Sequence, residues 1–508
     1  MTTTHRDATA ARVRTYGGWR RARGIGLFGA GPVGTVVVLG CVLVPMLLAS
    51  VSLRLGALTA LPAAVLAGLT LTRLGGVTIG HLLLRRSRWT WATARGWRAY
   101  RATTIDQHPR AWDLPGLLAP LRLVTAVGGR GDPFGVVWNR RTGHLTATLR
   151  CAASSTWLVD DRDVDGWVAN WHSWLASLGY LPMVRAVAVT VDTAPETGTA
   201  LRDTVLPRLD PGAPGDVREL VRELAVRSPT ASADVDTRVS ITFDPGRASR
   251  RLLDLDDAVA EVSRQLSGLE AALGACGVTA LGRLTAAELA AIVRIAFDPE
   301  SRGDVERLLA SAVRAEGFPP GEELCWADAG PVAAQEEWDR YRHDSGTSVS
   351  WGWLEAPRQQ VTSGVLARLL SPGRFAKRVS LVYRPLPAAD AARILEAQVN
   401  AVAFRDAYRR AQKREESARD VADRLQAQRA AAEEAQGAGV VLMSLHVTAT
   451  VIDPEQVLEA VADVESRAEQ CKIRLRRLYG GQAAGFACTL PLGAAGTAGT
   501  SGFSGGAW

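Results

Sequence analysis

The sequence predicts an α+β protein in which a two-helix transmembrane hairpin precedes a cytoplasmic body of split βαβ (ferredoxin-like) units with a helical insertion. Three observations support this class. Two long uncharged stretches follow one another near the N-terminus, arginines flank both stretches, and the remaining chain alternates β-rich runs with helical periodicity. A chain of 508 residues with 47% hydrophobic content has room for such a core beside the anchor.

The predicted hairpin consists of two apolar segments with a very short connection. No charged residue occurs from Ile25 to Leu53, and Val33 to Leu53 alone is long enough to cross about 30 Å of hydrocarbon. A second uncharged stretch, Leu55 to Thr72, follows after Arg54. Because only a tight turn around Ser52 to Gly56 separates the two segments, both are expected to span the membrane as a hairpin.

The basic charge of the chain is concentrated around this hairpin. Residues 1–105 contain 14 arginines and one acidic residue, Asp7, whereas the rest of the chain carries 45 basic and 51 acidic side chains. Nucleic-acid binding requires a clustered cationic surface, which a mildly acidic body does not provide. The net charge of +7 therefore belongs to the anchor, and no direct sequence-specific binding of nucleic acid is expected.

Arginines precede the first span and follow the second, which predicts that both termini and the main body are on the cytoplasmic side of the plasma membrane. Tryptophans near the ends of the spans are expected at the interface, where the ring faces lipid and the indole N–H reaches water. The residues predicted to anchor and orient the chain are Arg20, Arg21, Arg23, Arg73, Arg85, Arg86, Arg88, Trp19 and Trp89.

The first part of the body predicts the element order ββαβαβ. Two β-rich runs are separated by Arg140 to Gly143, which is typical of a hairpin turn. Three tryptophans of the following helix recur at intervals of three and four residues and predict a buried face. The predicted elements are strands 134–139 and 144–151, helix 163–178, strand 184–192, helix 217–227 and strand 237–243.

Three helices are predicted next, and Thr285 with Glu288 forms a capping box at the start of the second. The last third repeats the α+β theme and ends with a helix capped by Asp453. The predicted elements are helices 256–273, 285–297 and 304–314, strands 348–354 and 379–383, a long charged helix at about 388–435, and strand 440–451.

These elements divide the chain into seven predicted parts. They are a basic cytoplasmic N-terminus (1–24), the transmembrane hairpin (25–84), a basic juxtamembrane linker (85–130), a first α+β subdomain (131–250), a helical insertion (251–345), a second α+β subdomain (346–492) and a disordered glycine-rich tail (493–508).

The motif search predicts no catalytic residue, no cofactor and no metal site. None of the three lysines, Lys377, Lys413 and Lys472, occupies a P-loop context, the seven histidines contain no HExxH, and the six cysteines form no CxxC pair. A membrane-tethered transferase remains an alternative. It would require carboxylates that are distant in sequence, such as Asp160 or Asp161 together with Asp192.

The order of elements resembles a family of secretion ATPases. The sequence features concerned are the strand Val239 to Phe243, the run Ser348 to Trp353, the run Arg378 to Leu386, and the segment Ala484 to Pro491. Together they resemble the non-catalytic N-terminal region of the VirB-type ATPase of type IV secretion and conjugation, without its motor domain. The hairpin resembles the small inner-membrane subunit with which that ATPase pairs or is fused.

This resemblance implies a non-enzymatic integral membrane component of a secretion or conjugation machine. Its expected partners are the lipid bilayer, a secretion ATPase supplied in trans and other membrane subunits of the complex, in an oligomeric assembly. The junction from His108 to Ala119 is also similar to that of actinobacterial membrane proteins of secretion gene clusters. EccE, a membrane component of type VII secretion, has a similar plan of hairpin and soluble domain and is the second choice.

Overall fold

A computed structural model describes residues 15–17, 31–74, 77–102, 113–129, 131–154, 159–195, 205–227, 233–248, 252, 254–314, 324–357, 359–387, 390–396, 400, 425, 428–429, 431–432 and 439–494. The helices are α1 (Gly31–Val51), α2 (Leu53–Leu71), α3 (Ile79–Ala94), α4 (Asp161–Ser177), α5 (Gly215–Arg227), α6 (Leu255–Leu273), α7 (Ala286–Phe297), α8 (Arg302–Arg314), α9 (Ala367–Leu370), α10 (Val457–Gln470) and α11 (Gln482–Cys488). The strands are β1 (Arg73–Leu74), β2 (Val77–Thr78), β3 (Ala99–Arg101), β4 (Leu121–Val127), β5 (Pro133–Asn139), β6 (Leu145–Ala153), β7 (Val184–Pro195), β8 (Ala233–Phe243), β9 (Val278–Arg283), β10 (Ala333–Glu336), β11 (Tyr341–His343), β12 (Gly346–Glu355), β13 (Ala376–Pro385), β14 (Val441–Val451) and β15 (Arg474–Arg477).

Two apolar helices near the N-terminus confirm the coarse prediction of the hairpin. The chain turns at Ser52, which is extended between α1 and α2. The helices approach closely at Gly56, where an added Cβ would lie 2.5 Å from the Cβ of Ala49. Leu53 is 81% exposed, and only 6% of each apolar stretch is buried. Both helices are therefore long and apolar enough to cross a membrane, and the described parts of the chain leave their surface uncovered.

The prediction of a ferredoxin-like body is wrong, because the body contains one large antiparallel sheet of 13 strands. Its order is β3-β10-β11-β12-β14-β13-β7-β8-β6-β5-β4, with β15 paired to β12 and β9 paired to β6. The two predicted α+β units meet at β7 and β13, whose backbones pair from Thr193 and Lys377 to Val187 and Tyr383. Neither unit therefore has a separate sheet. The range 251–345 contains the predicted helices and also the strands β9, β10 and β11.

The two halves of the sheet have the same connectivity. The first half runs β4, β5, β6, α4, β7, α5, β8, α6, β9, α7, and the second runs β10, β11, β12, α9, β13, β14, α10, β15, α11. Apart from α5, the elements named in the two halves follow one another in the same order. Equivalent strands occupy equivalent places on either side of the antiparallel β7–β13 pair. The body is thus an approximate two-fold duplication, which agrees with the α+β theme that repeats in the sequence.

The two faces of the sheet differ in chemistry. One face is apolar and is covered by α4 and α6 in the first half and by α9 and α10 in the second. Phe243 and Trp351, which have no measurable exposure, belong to this face. The opposite face, which we call the polar face, is covered by α7, α11 and residues 489–494. Its buried hydroxyl side chains are Thr146, Thr148, Thr190, Ser240, Thr242, Ser348, Ser350, Ser380, Ser444, Thr448 and Thr450.

The hydroxyl groups of the polar face are paired across neighbouring strands. Thr190 donates to Ser380 at 3.0 Å across the central β7–β13 pair, and Thr148 donates to the carbonyl of Pro491 at 3.1 Å. A buried hydroxyl without a hydrogen-bond partner would destabilise the fold. The pairing therefore allows these hydroxyl groups of the polar face to be buried.

Several predicted elements lie wholly or largely outside the described residues. They are the basic N-terminus 1–24 apart from 15–17, most of the long helix at 388–435, and the tail 493–508 apart from Gly493 and Ala494.

Candidate functional site: the membrane junction

The candidate site is the junction between the apolar hairpin and the sheet, where residues predicted from the sequence to anchor the chain are located. After α2 the chain forms the small β1–β2 ladder and then enters α3, whose N-cap Thr78 accepts a hydrogen bond from the N–H of His81 at 3.4 Å. A Cβ added at Gly80 would lie 3.2 Å from the carbonyl oxygen of Leu69. The first turn of α3 is therefore packed against the last turn of α2, directly at the end of the apolar hairpin.

A cluster of aromatic rings and arginines connects α3 to the body. Trp89 of α3 meets Trp338 edge to face at 5.4 Å between centroids, and Trp338 stacks on Tyr479 at 6.4 Å. The guanidinium carbon of Arg86 lies 4.5 Å from the centroid of Trp338, and that of Arg98 lies 5.0 Å from Trp89. Arginine over the electron-rich face of tryptophan is a favourable cation–π arrangement, so α3 is held by geometry-specific contacts.

Gly480 explains how Trp338 fits into this cluster. The N–H of Gly480 donates to the carbonyl of Trp338 at 2.7 Å, and its φ of +66° lies in the left-handed region that favours glycine. An added Cβ would lie 2.5 Å from the Trp338 ring. The turn after β15 therefore requires glycine in order to receive the indole.

The junction is completed by a strand. β3 pairs antiparallel with β10 at the edge of the sheet, with Tyr100 opposite Ala334. The N–H of Glu336 donates to the carbonyl of Arg98 at 2.9 Å, and the Glu336 carboxylate accepts from the N–H of Ala483 at 3.0 Å. Burial raises the pKa of Glu336, against the backbone hydrogen bonds that its carboxylate accepts from Ala483 and Gln482 and against the charge of Arg98. In the described part of the chain, the helix α3 is thus the only helix between the apolar hairpin and β3, the strand by which the chain joins the sheet.

A shallow pocket of about 80 Å³ lies beside β3 and β10. Its walls are mainly aromatic and aliphatic, with the Glu336 side chain among them. The residues that line it are Trp97, Arg98, Ala99, Tyr100, Pro115, Gly116, Leu117, Leu118, Phe297, Ala334, Glu336, Tyr341, Ala483 and Phe486.

The structure brings together four of the nine residues predicted to anchor and orient the chain. Arg85, Arg86, Arg88 and Trp89 all lie on α3. Arg73 is in β1, and its side chain is outside the description. The other four residues, Trp19, Arg20, Arg21 and Arg23, lie outside the described residues. Trp89 is half-buried against the body, and burial lowers the pKa of Arg85.

A short N-terminal segment also reaches the body. Tyr16 exchanges two backbone hydrogen bonds with Val361, at 2.7 and 2.8 Å. Its hydroxyl donates to the carboxylate of Asp165 in α4 at 2.5 Å. The chain on either side of the apolar hairpin is therefore attached to the same body.

The carboxylates that the transferase alternative would require lie on opposite faces of the sheet. Asp192 lies on the polar face and binds Arg238, which is 5% exposed, at 3.2 Å. Asp160 and Asp161 lie at the N-terminus of α4, which packs on the opposite face of the sheet. Among the described residues, no group of three or more histidine, cysteine, aspartate and glutamate side chains has the arrangement of a metal site.

Trp338, Tyr479 and Gly480 are not among the residues predicted from the sequence. The two aromatic residues lie in short irregular segments without periodicity, and Gly480 follows one of them directly. The signal for Tyr479 and Gly480 is the Tyr-Gly-Gly sequence at 479–481, since consecutive glycines after an aromatic residue indicate a turn with close backbone approach.

Comparison with known proteins finds no protein-family model that matches this chain and no curated protein that matches it in sequence.

Proposed function

We propose that the chain is a non-enzymatic membrane component of a secretion or conjugation machine, which holds its broad sheet at the cytoplasmic surface and docks a separate secretion ATPase there. The observation that carries the proposal is the junction. A hairpin whose apolar surface is left uncovered by the described parts of the chain continues, through α3 and β3, into the edge of a 13-stranded sheet. Through this connection the membrane anchor holds the body in a fixed position, as a docking platform requires.

The contacts of Tyr16 support a location of both flanks on the same side of the membrane. Tyr16 precedes α1, whereas Val361 and Asp165 belong to the body that follows α2. If the hairpin spans the bilayer, these contacts require both flanks to be on one side. The concentration of arginines on both flanks then favours the cytoplasmic side.

The choice of a secretion ATPase as the partner rests on the resemblance of the body to the motor-less N-terminal region of the VirB-type ATPase. A component of type VII secretion with the plan of EccE is the alternative within the same class. Oligomeric association with other membrane subunits belongs to the same proposal.

The anchor is tested by extraction of membranes at alkaline pH. The full chain is expected to stay in the membrane pellet, whereas Leu43→Arg with Leu61→Arg, which places charge in both apolar helices, is expected to release it. Release of the unaltered chain at alkaline pH would refute the proposal. Leu442→Arg, on an exposed site of the body, is the matched control.

The platform role is tested by loosening the junction without removing the anchor. A flexible six-residue Gly/Ser insertion after Gly96, in the turn before β3, is expected to keep the chain in the membrane and to lower transport by the host machine. The same insertion in the turn between β4 and β5 is the control and should be tolerated. ATP hydrolysis by the purified chain alone, or equal transport with both insertions, would contradict the proposal.

A further inference from the structure

The helix α3 has a second face that the described residues of the body do not cover. The body-side face consists of residues at intervals of three and four, Leu82, Arg85, Arg86 and Trp89. These residues include the ones that contact Trp338. On the opposite side, Leu84, Arg88, Trp91 and Arg95 follow at intervals of four, three and four residues. They form one stripe, which we call the outer face of α3.

The outer face combines exposed apolar groups with cations. Leu84 is 56% exposed and Trp91 is 51% exposed. The guanidinium carbon of Arg95 lies 5.0 Å from the centroid of Trp91, and Trp97 meets Trp91 edge to face at 4.7 Å. Tryptophan beside arginine is the combination that suits the headgroup region of a bilayer, because the ring enters the acyl boundary while the cation meets phosphate.

Charge complementarity identifies the occupant. The segment 79–102 carries six arginines and no acidic residue, and the acidic residue nearest to it on its N-terminal side is Asp7. An exposed apolar stripe with such one-sided charge would bind an anionic surface. Its position is also continuous with the apolar hairpin, since the first turn of α3 packs on the last turn of α2.

We propose that the outer face of α3 is a binding site for anionic phospholipid headgroups, and that α3 lies in the membrane interface between the bilayer and the Trp338 cluster. Leu84 and Trp91 enter the boundary of the acyl chains, and Arg88 and Arg95 bind the headgroup phosphates. The inference rests on the proposed membrane anchorage of the chain and adds the lipid class and the residues that recognise it.

The test uses the full-length chain in nanodiscs that contain brominated phospholipids, which quench nearby tryptophan fluorescence. The signal of Trp91 is obtained as the difference between the unaltered chain and Trp91→Phe. This difference is expected to be quenched more by brominated phosphatidylglycerol than by the same mole fraction of brominated phosphatidylcholine. Each arginine near an anionic surface contributes a factor of about five in affinity, so Arg88→Gln with Arg95→Gln is expected to abolish the preference.

The controls separate this inference from the anchor. Trp171→Phe, in α4 of the body, should give a difference signal that neither lipid quenches. A Trp91 signal that neither lipid quenches, or that both quench equally, overturns the inference. Alkaline extraction of the same variants decides the anchor independently. Retention of an Arg88→Gln, Arg95→Gln chain in the membrane together with loss of the lipid preference supports both proposals.

Discussion

Replacing Trp338 with alanine removes the side chain through which α3 contacts the sheet. Trp338 makes ring contacts with Trp89 and Tyr479, and the guanidinium carbons of Arg86 and Arg85 lie 4.5 and 6.0 Å from its centroid. Half-exposed contacts of these kinds contribute about 0.5–1 kcal/mol each. The three contacts of Trp338 with Trp89, Arg85 and Arg86 together stabilise the junction by roughly 1.5–3 kcal/mol.

Amide hydrogen exchange measures this loss where it occurs. The amides of Ala102 and Glu336 donate across the β3–β10 edge, to Val332 and Arg98 respectively. If they exchange by local opening of the junction, a loss of about 1.5–3 kcal/mol speeds their exchange roughly 10- to 150-fold. The amide of Val447, in the central strand β14, is the internal reference and should keep its rate.

Tyr479→Ala is a smaller matched change, because Tyr479 contacts Trp338 but lies on the body side of the junction. It is expected to speed the same amides only about 3- to 5-fold. Unchanged exchange at Ala102 and Glu336 in Trp338→Ala would refute the reasoning. An equal acceleration at Val447 would refute it as well, because the loss would then be global rather than local.

Three further predictions concern the body and use urea unfolding of the full chain in detergent. Burial is the main cause that lowers the pKa of His343 and His446 from 6.5 to about 4, so these residues are neutral in the folded body while the unfolded chain protonates them. The free energy of unfolding is therefore expected to be highest above pH 6.5 and to fall as the pH is lowered toward 4, by about 2 kcal/mol per histidine at pH 5. Equal free energies of unfolding at pH 7 and pH 5 would contradict this. Asp192→Ala removes one of the two carboxylates that bind the buried Arg238 and leaves Asp236 as the other, so it should cost roughly 1.5–3 kcal/mol. Asp192→Asn keeps an acceptor and should cost less; equal costs would show that the charge is irrelevant. Thr285→Ala removes the capping box of α7 and should lower the free energy of unfolding by about 1 kcal/mol. Thr279→Ala on β9 is the control. An unchanged unfolding midpoint in Thr285→Ala would show that the cap does not stabilise the fold.

Much of the secondary structure could be predicted because its signal is local. The hairpin of β5 and β6, the tryptophan-rich α4, the strands β7 and β8 and the helices α6 to α8 agree with the predicted elements within a few residues. The capping box of Thr285 and Glu288 forms as predicted, because both hydrogen bonds lie within a single helical turn. Short strands such as β3, β10 and β15 were missed, since three or four residues give no measurable alternation.

The candidate site divides in the same way. The arginines and tryptophans of α3 could be identified from their position after an apolar span. Their assignment to two faces depends on Trp338, which is more than 200 residues away in the chain, and no local pattern connects the two segments.

The sequence by itself determined the apolar hairpin, the concentration of positive charge around it and the types of most long elements, because hydrophobicity, charge and periodicity are properties of neighbouring residues. The tertiary structure alone decided that the body forms one sheet. β7 and β13 join the two halves of the sheet through backbone hydrogen bonds. Because such bonds can form whatever the side chains are, the pairing of these two strands leaves no pattern in the sequence. It also decided that α3 has one side on the body and one side that the described residues leave exposed, because that division depends on which distant residue packs against each face.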